Sequence, residues 1–135
     1  MSEPNLYAHL IASAGVAALV GQRVYAQLIP QQVRGDPKAY PCAVFSLVSL
    51  VDASTQCETI PVPQGTWQID AYAMDRDSAV LLASEIRRAM VDYVGLMGDV
   101  HVSSCKRSTC FDVGPEPEPG LYRRTQTFTI WYAES

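Results

Sequence analysis

The 135-residue chain is poor in the residues and motifs that carry enzyme chemistry. It has two histidines, His9 and His101, and no serine or cysteine near them lies in a recognisable nucleophile motif. Each histidine is therefore expected to be structural, with His9 in an exposed or capping position on a helix. No glycine-rich turn joins a strand to a helix, and strand–helix–strand alternation is missing, which argues against a nucleotide-binding fold. The sequence predicts no catalytic residue and no cofactor.

Positive charge is also scarce. The chain has ten basic and fourteen acidic residues, which gives a formal charge of -4 and an isoelectric point near 5.0. The basic residues are scattered and come in pairs only at 87–88, 106–107 and 123–124. Binding to a nucleic acid backbone needs clustered lysine and arginine, so these pairs are better explained as solvated faces or subunit contacts than as phosphate sites.

Long apolar runs and dense cysteine spacing are missing as well. No segment is long enough to cross a bilayer, and the N-terminus lacks the pattern of a secretory signal, so no membrane association is expected. Cys42, Cys57, Cys105 and Cys110 are not spaced like a disulfide framework, which favours reduced thiols in a cytoplasm. His101 with Cys105 and Cys110 is the nearest approach to a zinc set, and it lacks a fourth ligand. No metal site is predicted.

Hydrophobic residues make up 48% of the sequence, which is enough for one compact domain with a hydrophobic core. Its periodicity predicts an α+β fold: a mostly antiparallel twisted sheet of about five strands with two helices packed on one face. Ser13 and Gly15 leave open whether the first helix kinks or breaks. The predicted order is a helix at 4–21, strands at 23–29, 42–51 and 66–73, a helix at 75–94, and strands at 99–106 and 121–133, with long loops near 52–65 and 108–120. Asp75 is the predicted N-cap of the second helix, whose apolar stripe runs from Ala79 to Tyr93 and is followed by Gly95.

Three strands carry specific expectations about burial. The nearly unbroken apolar run at 42–51 predicts a central strand covered on both faces. In the strand at 66–73, alternation places Trp67, Ile69, Ala71 and Ala73 inward and Thr66, Gln68, Asp70 and Tyr72 outward. In the last strand, Phe128, Ile130 and Tyr132 share the inner face, whereas Arg123, Trp131 and the threonines between them lie on a side that faces water or another subunit.

The segment before the last strand has an unusual composition. Pro115, Pro117 and Pro119 alternate with Glu116 and Glu118, which favours an extended segment whose two carboxylates point outward. Such a segment is either a rigid connector or a stiff acidic finger that docks on a partner. Stiffness lowers the entropic cost of docking, so we treat these five residues as a candidate partner-docking loop.

Three stretches of sequence resemble the tail completion proteins of long-tailed bacteriophages, also called tail terminator or tail-to-head joining proteins. They are AALVGQRVY at 17–25, QIDAY at 68–72 with the helix that follows, and GLYRRTQTFTIW at 120–131. The resemblance implies a single tail-terminator-like domain over residues 1–135. It also implies a non-enzymatic subunit of the virion, located at the head-proximal end of the tail and assembled in the host cytoplasm.

By the same resemblance, the protein is expected to form a homohexameric ring that caps the tail tube, ends its polymerisation and joins the tail to the head connector or head completion protein. DNA would pass through the lumen without specific binding, and an acidic subunit favours a lumen that repels phosphate. The two long loops match nothing in the family, and we expect partner specificity there.

Two site hypotheses and two rival functions follow. Arg123, Arg124 and Trp131 are predicted to form a subunit interface, and the loop at 115–119 is predicted to dock on the tail tube or connector. The rivals are a head-closure or neck protein of similar fold, and a monomeric or dimeric ligand-binding module that uses the sheet face opposite the helices.

Overall fold

A computed structural model describes residues 4–27, 29, 40–51, 64–113 and 121–134 of the chain. Within these ranges there are three helices and six strands. The helices are α1 (Leu6–Ala12), α2 (Ala14–Val20) and α3 (Arg76–Met90), and the strands are β1 (Val24–Ala26), β2 (Cys42–Val51), β3 (Gln64–Ala73), β4 (Gly95–Met97), β5 (Val100–Val113) and β6 (Tyr122–Glu134).

The six strands form one sheet in the order β1-β2-β3-β6-β5-β4. β1 runs parallel to β2, and every other neighbouring pair is antiparallel. The predicted α+β class with a mostly antiparallel sheet is therefore confirmed. The predicted numbers were too low, because the described part of the chain has six strands rather than about five and three helices rather than two.

The extra helix arises from a break at Ser13. Asn5 caps α1 by accepting a 3.0 Å hydrogen bond from the Ala8 N–H, a role for which the sequence had suggested no residue. Ser13 has an extended backbone with ψ 121°, which ends α1 and allows α2 to start at the next residue. Of the two alternatives for this segment, a kink and a break, the break is correct.

The extra strand follows α3. Asp75 caps α3 as predicted, since its side chain accepts a 2.8 Å hydrogen bond from the Ser78 N–H. The helix ends at Met90, four residues earlier than expected, and β4 then pairs with the start of β5. Gly98, at φ +68°, opens the two-residue turn between them, a conformation that glycine adopts without a steric penalty.

β5 is much longer than the predicted strand at 99–106, and it includes the first part of the predicted loop at 108–120. Its pairing with β6 continues to Val113, with irregularities between Val102 and Ser104 and between Arg107 and Thr109. Each irregularity places an extra residue in the strand. An extra residue reverses the alternation of side chains between faces, so the sequence pattern no longer looks like one strand.

One face of the sheet, which we call the core face, shares a buried cluster with all three helices. From β3 and β6 it carries Trp67, Ile69, Phe128 and Ile130, each at most 2% exposed, together with Tyr132. The inward placement predicted for these residues is confirmed. The helices contribute Leu6, Leu10, Val16, Val20, Leu82, Ala83, Ile86 and Met90 to the same cluster.

The opposite face has a smaller buried cluster at one end, formed by Ile29, Tyr40, Cys42, Val44, Tyr72 and Leu121. Asp70 and Tyr72 lie on this face as predicted, but they are buried rather than exposed, at 6% and 8%. The prediction failed here because the sequence does not show that Ile29 and Tyr40 cover this end of the face.

Only the first half of β2 fits the prediction of a strand covered on both faces. Cys42, Ala43 and Val44 are buried, whereas Leu47 and Val48 are 43% and 56% exposed. β1 extends beside β2 only as far as Phe45, so the second half of β2 has no described neighbour on that side. The prediction for this second half was wrong.

Candidate subunit and partner interface

Arg124, one of the three predicted interface residues, lies on the core face of β6, in the same alternating set as Gln126 and Phe128. Its guanidinium makes a two-pronged contact with Asp112 of β5, with Nε–Oδ1 2.6 Å and Nη2–Oδ2 3.1 Å. Arg76 at the start of α3 reaches the same carboxylate at 3.3 Å. The hydrogen bonds from Arg124 hold the pKa of Asp112 below its usual range. Arg124 therefore anchors the end of β5 within its own subunit.

Arg123 points to the opposite face, where it contacts the small second cluster. Its Nη1 donates a 3.1 Å hydrogen bond to the Tyr72 hydroxyl, and its guanidinium carbon lies 5.7 Å from the centre of the Tyr72 ring. This geometry combines a hydrogen bond with a cation–π contact. Arg123 is thus half-buried and held in place.

Trp131 lies on the same face as Arg123 but eight residues along the strand, beside a row of hydroxyl groups. It is half-buried, and Ser103 donates a 3.2 Å hydrogen bond to its carbonyl oxygen. Thr109 and Thr127 share a 2.6 Å hydrogen bond across the neighbouring strands, and Ser108 bonds Thr129 at 3.1 Å. Thr127 and Thr129 are half-buried, but Thr125 in the same row is only 1% exposed and donates a 2.7 Å hydrogen bond to Asp70. The prediction that this row faces water or another subunit is therefore wrong at Thr125.

The structure does not bring the three predicted interface residues into one patch. Arg124 faces the core side, and Arg123 and Trp131 lie on the other side about 26 Å apart, at 3.3 Å per strand residue. The docking loop with Pro115, Glu116, Pro117, Glu118 and Pro119 lies outside the described residues.

The fold does bring together three arginines that the sequence separates. Arg87 of α3, Arg107 of β5 and Arg124 of β6 line one groove, so each of the three basic pairs contributes one member. Arg107 donates a 3.1 Å hydrogen bond to Gln126, and Arg124 is neutralised by Asp112. Nothing in the sequence signals this grouping, since the three positions belong to three different elements. A neighbouring cleft of about 250 Å³ lies between the start of α3 and the ends of β5 and β6.

Exposed apolar side chains mark a second feature that the sequence did not reveal. Leu47, Val48 and Leu50 on β2 are 36% to 56% exposed, and Phe111 on β5 is 51% exposed. All four lie on strands next to the sheet's short terminal strands, where those terminal strands no longer reach. The signal that could have found them is the length of the apolar run at 42–51, which exceeds what the short strand before it can cover.

Cys42, Cys105 and Cys110 are the cysteines that the structure describes, and their thiols show no arrangement for chemistry, whereas Cys57 lies outside the described residues. Cys42 and Cys105 are buried, and burial raises the pKa of each to about 12, which keeps them protonated. Cys110 is exposed, and His101 is exposed near the other end of the same strand. Across the described ranges, no three His, Cys, Asp or Glu side chains are grouped as a metal site would require.

His9 has the capping position expected of it, although on a different helix. Its Nε2 donates a 2.8 Å hydrogen bond to the carbonyl of Ala89 in the last turn of α3, and its ring packs 4.2 Å from Tyr93. Burial lowers the pKa of His9, and the bond to Ala89 only partly offsets this. His9 therefore joins α1 to the end of α3 in its neutral form. In the part of the chain that the structure describes, no helix combines the length and apolar character of a membrane span.

Comparison with protein families decides what kind of protein this is. The family model described as Tail completion protein gp17 matches residues 4–133, which is nearly the whole chain. The chain belongs to the tail completion protein gp17 family. It is a structural protein of a phage tail, and its place is in the virion tail. The resemblance drawn from the three sequence stretches is thereby confirmed.

Solved structures add evidence on the fold of this tail completion family member. A chain in the virion of native gene transfer agent (GTA) particle aligns with 96% of it and with 91% of its own length, at a TM-score of 0.68 and 20% identity. A second solved structure aligns with 97% of it and with 89% of its own length, at a TM-score of 0.52 and 15% identity. At such identities the likeness shows a shared fold. No curated protein matches the sequence.

Proposed function

We propose that this protein forms a homohexameric ring on the head-proximal end of the phage tail tube, ends tube polymerisation and joins the tail to the head connector. Membership of the tail completion family over residues 4–133 is the observation that carries the proposal. The whole chain would act as a single tail-terminator-like domain. Its helices would pack together on the core face, leaving the opposite face and the sheet edges for contacts.

The charge of the chain is consistent with a ring around DNA. A subunit with a formal charge of -4 favours a lumen that repels phosphate, so DNA would pass through it without being held. The described arginines are already engaged in part, because Arg124 and Arg76 share Asp112 and Arg123 is bound to Tyr72. The ring would assemble on tails in the host cytoplasm.

Tube growth gives the direct test. Tail tube protein is polymerised with and without the purified chain, tube lengths are measured by negative-stain imaging, and the mass of the chain alone is followed by light scattering over a concentration series. Shorter tubes that carry a six-fold ring at one end would support the proposal. Tubes of unchanged length with no ring at either end would refute it, and binding to the connector alone would favour a head-closure or neck protein.

Within this function, we propose that Arg123, Arg124 and Trp131 contribute to the subunit contact. Because they do not form one patch, each would contribute separately. Trp131 would contact the neighbouring subunit beside the threonines, Arg123 would do so beside the second cluster, and Arg124 would contribute by keeping the end of β5 in place. We expect Arg123→Ala combined with Trp131→Ala to weaken ring assembly, with Arg123→Lys and Trp131→Phe as the matched control. Normal assembly of the alanine pair would show that the placement is wrong.

We further propose that the loop containing Pro115, Glu116, Pro117, Glu118 and Pro119 docks on the tail tube or the connector. Deleting residues 115–119 should leave a ring that cannot join tails to heads. Changing only Glu116 and Glu118 to glutamine keeps the prolines, so it separates the role of charge from that of stiffness. Normal joining after the deletion would rule out the docking role.

A further inference from the structure

The outer edge of β2 is unpaired over its second half within the described part of the chain. β1 pairs with residues 43–45 only. The Ala43 N–H donates to the Arg23 carbonyl, and the Phe45 carbonyl accepts from the Gln27 N–H, so these residues direct their backbone groups toward β1. Alternate strand residues direct their backbone groups to the same side, and Leu47 therefore presents its N–H and C=O to the open edge.

The outer edge of β5 is open in the same way. β4 pairs with residues 100–102, and the Asp92 N–H donates to the Cys105 carbonyl. From 106 to 113 no described strand lies on that side of β5. By the same alternation Arg107 presents its backbone groups outward, one residue before the irregularity between Arg107 and Thr109.

The two open edges are suited to each other in direction and height. β2 and β5 run antiparallel, because three antiparallel pairings separate them in the sheet. Leu47 lies in one cross-sheet row with Trp67, Phe128 and Arg107. Measured along the strand direction, the open stretches 46–51 and 106–113 therefore overlap in part and are offset by a few residues. A second copy placed beside the first could therefore continue the sheet with antiparallel hydrogen bonds.

We propose that the open edge of β2, residues 46–51, pairs with the open edge of β5, residues 106–113, in the next copy of the chain. Because the two edges differ, the contact is head-to-tail, and repetition closes a ring when the rotation between copies permits. This inference rests on the proposed ring and specifies its interface.

Side chains at the edges favour this pairing over exposure to water. Unpaired, apolar edges are sites of strand addition, and β2 presents Leu47, Val48 and Leu50 there without a charged neighbour between 46 and 50. Lysine on an edge normally discourages pairing, but Lys106 is already bound to Asp92. Pairing would also bury part of these exposed side chains, at about 25 cal/mol per Å² of apolar surface.

Proline provides the first test, because it removes an outward N–H without breaking a bond to the inner neighbour. The variants are Leu47→Pro for the β2 edge and Arg107→Pro for the β5 edge, with Leu47→Thr and Arg107→Thr as controls that lose the same side chains. Ring assembly is measured by light scattering and negative-stain imaging, with tail tubes added if wild-type chain needs them. We expect each proline variant to lose at least tenfold in ring yield and each threonine variant to retain rings.

Mixing the two proline variants tests the head-to-tail geometry. Each keeps one good edge, so the mixture should form a 1:1 pair of twice 14.8 kDa and nothing larger, while each variant alone stays monomeric. A dimer from either variant alone would overturn the proposal, as would rings from folded proline variants. If wild-type chain forms no ring even on tail tubes, the proposed function fails instead.

A charge pair gives a second test that does not depend on a proline variant folding. Leu47 and Arg107 occupy the same face, so Leu47→Lys in one copy would approach the basic Arg107 of the next, whereas Leu47→Glu would attract it. Opposed like charges across strands cost up to about 1 kcal/mol, or roughly fivefold in each contact. We expect assembly to be weaker by at least that factor for Leu47→Lys than for Leu47→Glu. Equal assembly would contradict the pairing.

Discussion

The two halves of β2 have similar apolar composition but very different surroundings. Val44 is 4% exposed, between β1 and β3 and under the cover of Tyr40 and Tyr72, whereas Val48 is 56% exposed four residues later. The difference arises because β1 stops pairing at Phe45. An apolar strand can thus be half covered by its own chain and half open, and in a protein that works as part of a virion the open half is a natural place for another subunit.

The largest difference in stability is expected between substitutions of two phenylalanines on neighbouring strands. Phe128 is fully buried in the core cluster, and Phe111 is 51% exposed. We expect Phe128→Ala to lower the free energy of unfolding by about 3–5 kcal/mol because it leaves a cavity, and Phe111→Ala to change it by less than about 0.5 kcal/mol. Urea unfolding of the monomer measures both. Similar losses for the two would mean that the β5 edge is covered within the subunit.

The two valines of β2 give a smaller effect on a single strand. We expect Val44→Ala to cost about 1.5–3 kcal/mol, through two lost methyl groups and the space they leave, and Val48→Ala to stay within about 0.5 kcal/mol in the monomer. Thermal or urea unfolding distinguishes them. In assembled rings the difference in stability loss between the two variants should be smaller, since Val48 would then be partly covered. A large loss of stability for Val48→Ala in the monomer would show that Val48 is covered within its own subunit.

The smallest effect concerns pH, through His9 in the covered part of the molecule. Its pKa is lowered on folding, so below about pH 6.5 the unfolded chain binds a proton that the folded chain resists. Stability should therefore fall as pH drops below that value and level off below the folded pKa. His9→Gln keeps a donor for Ala89 without titrating, and should cost about 1 kcal/mol at pH 7.5 while flattening the pH dependence.

Urea unfolding at a series of pH values, in wild-type and His9→Gln chains side by side, measures this pH dependence. The account of His9 would be wrong if stability between pH 7.5 and 5.0 were the same in wild-type and His9→Gln chains.

The regular elements were predictable from the sequence because one local pattern decides each of them. β3, α3 and β6 were foreseen from the alternation around Trp67, the Asp75 cap and apolar stripe, and the final alternating run. β4 was missed because three residues are too few to show a period. β5 was cut short because its two irregularities shift the alternation.

The candidate interface was less predictable, because it depends on what the sheet order leaves uncovered. Arg124 looked like a contact residue until the fold placed Asp112 beside it. Leu47 looked like a core residue, although the apolar run at 42–51 is longer than the strand before it can cover, and β1 ends its pairing two residues earlier. The family, in contrast, followed from short stretches of sequence and is confirmed over nearly the whole chain.

Amide hydrogen exchange in the wild-type chain, compared between free monomer and assembled ring, tests the central claim most directly. We expect amide exchange to slow on assembly in residues 46–51 and 106–113. The exchange rates of residues 42–44, which are already covered in the monomer, should change little. Unchanged exchange in both open stretches, in rings confirmed by imaging, would contradict the claim that these edges join the subunits.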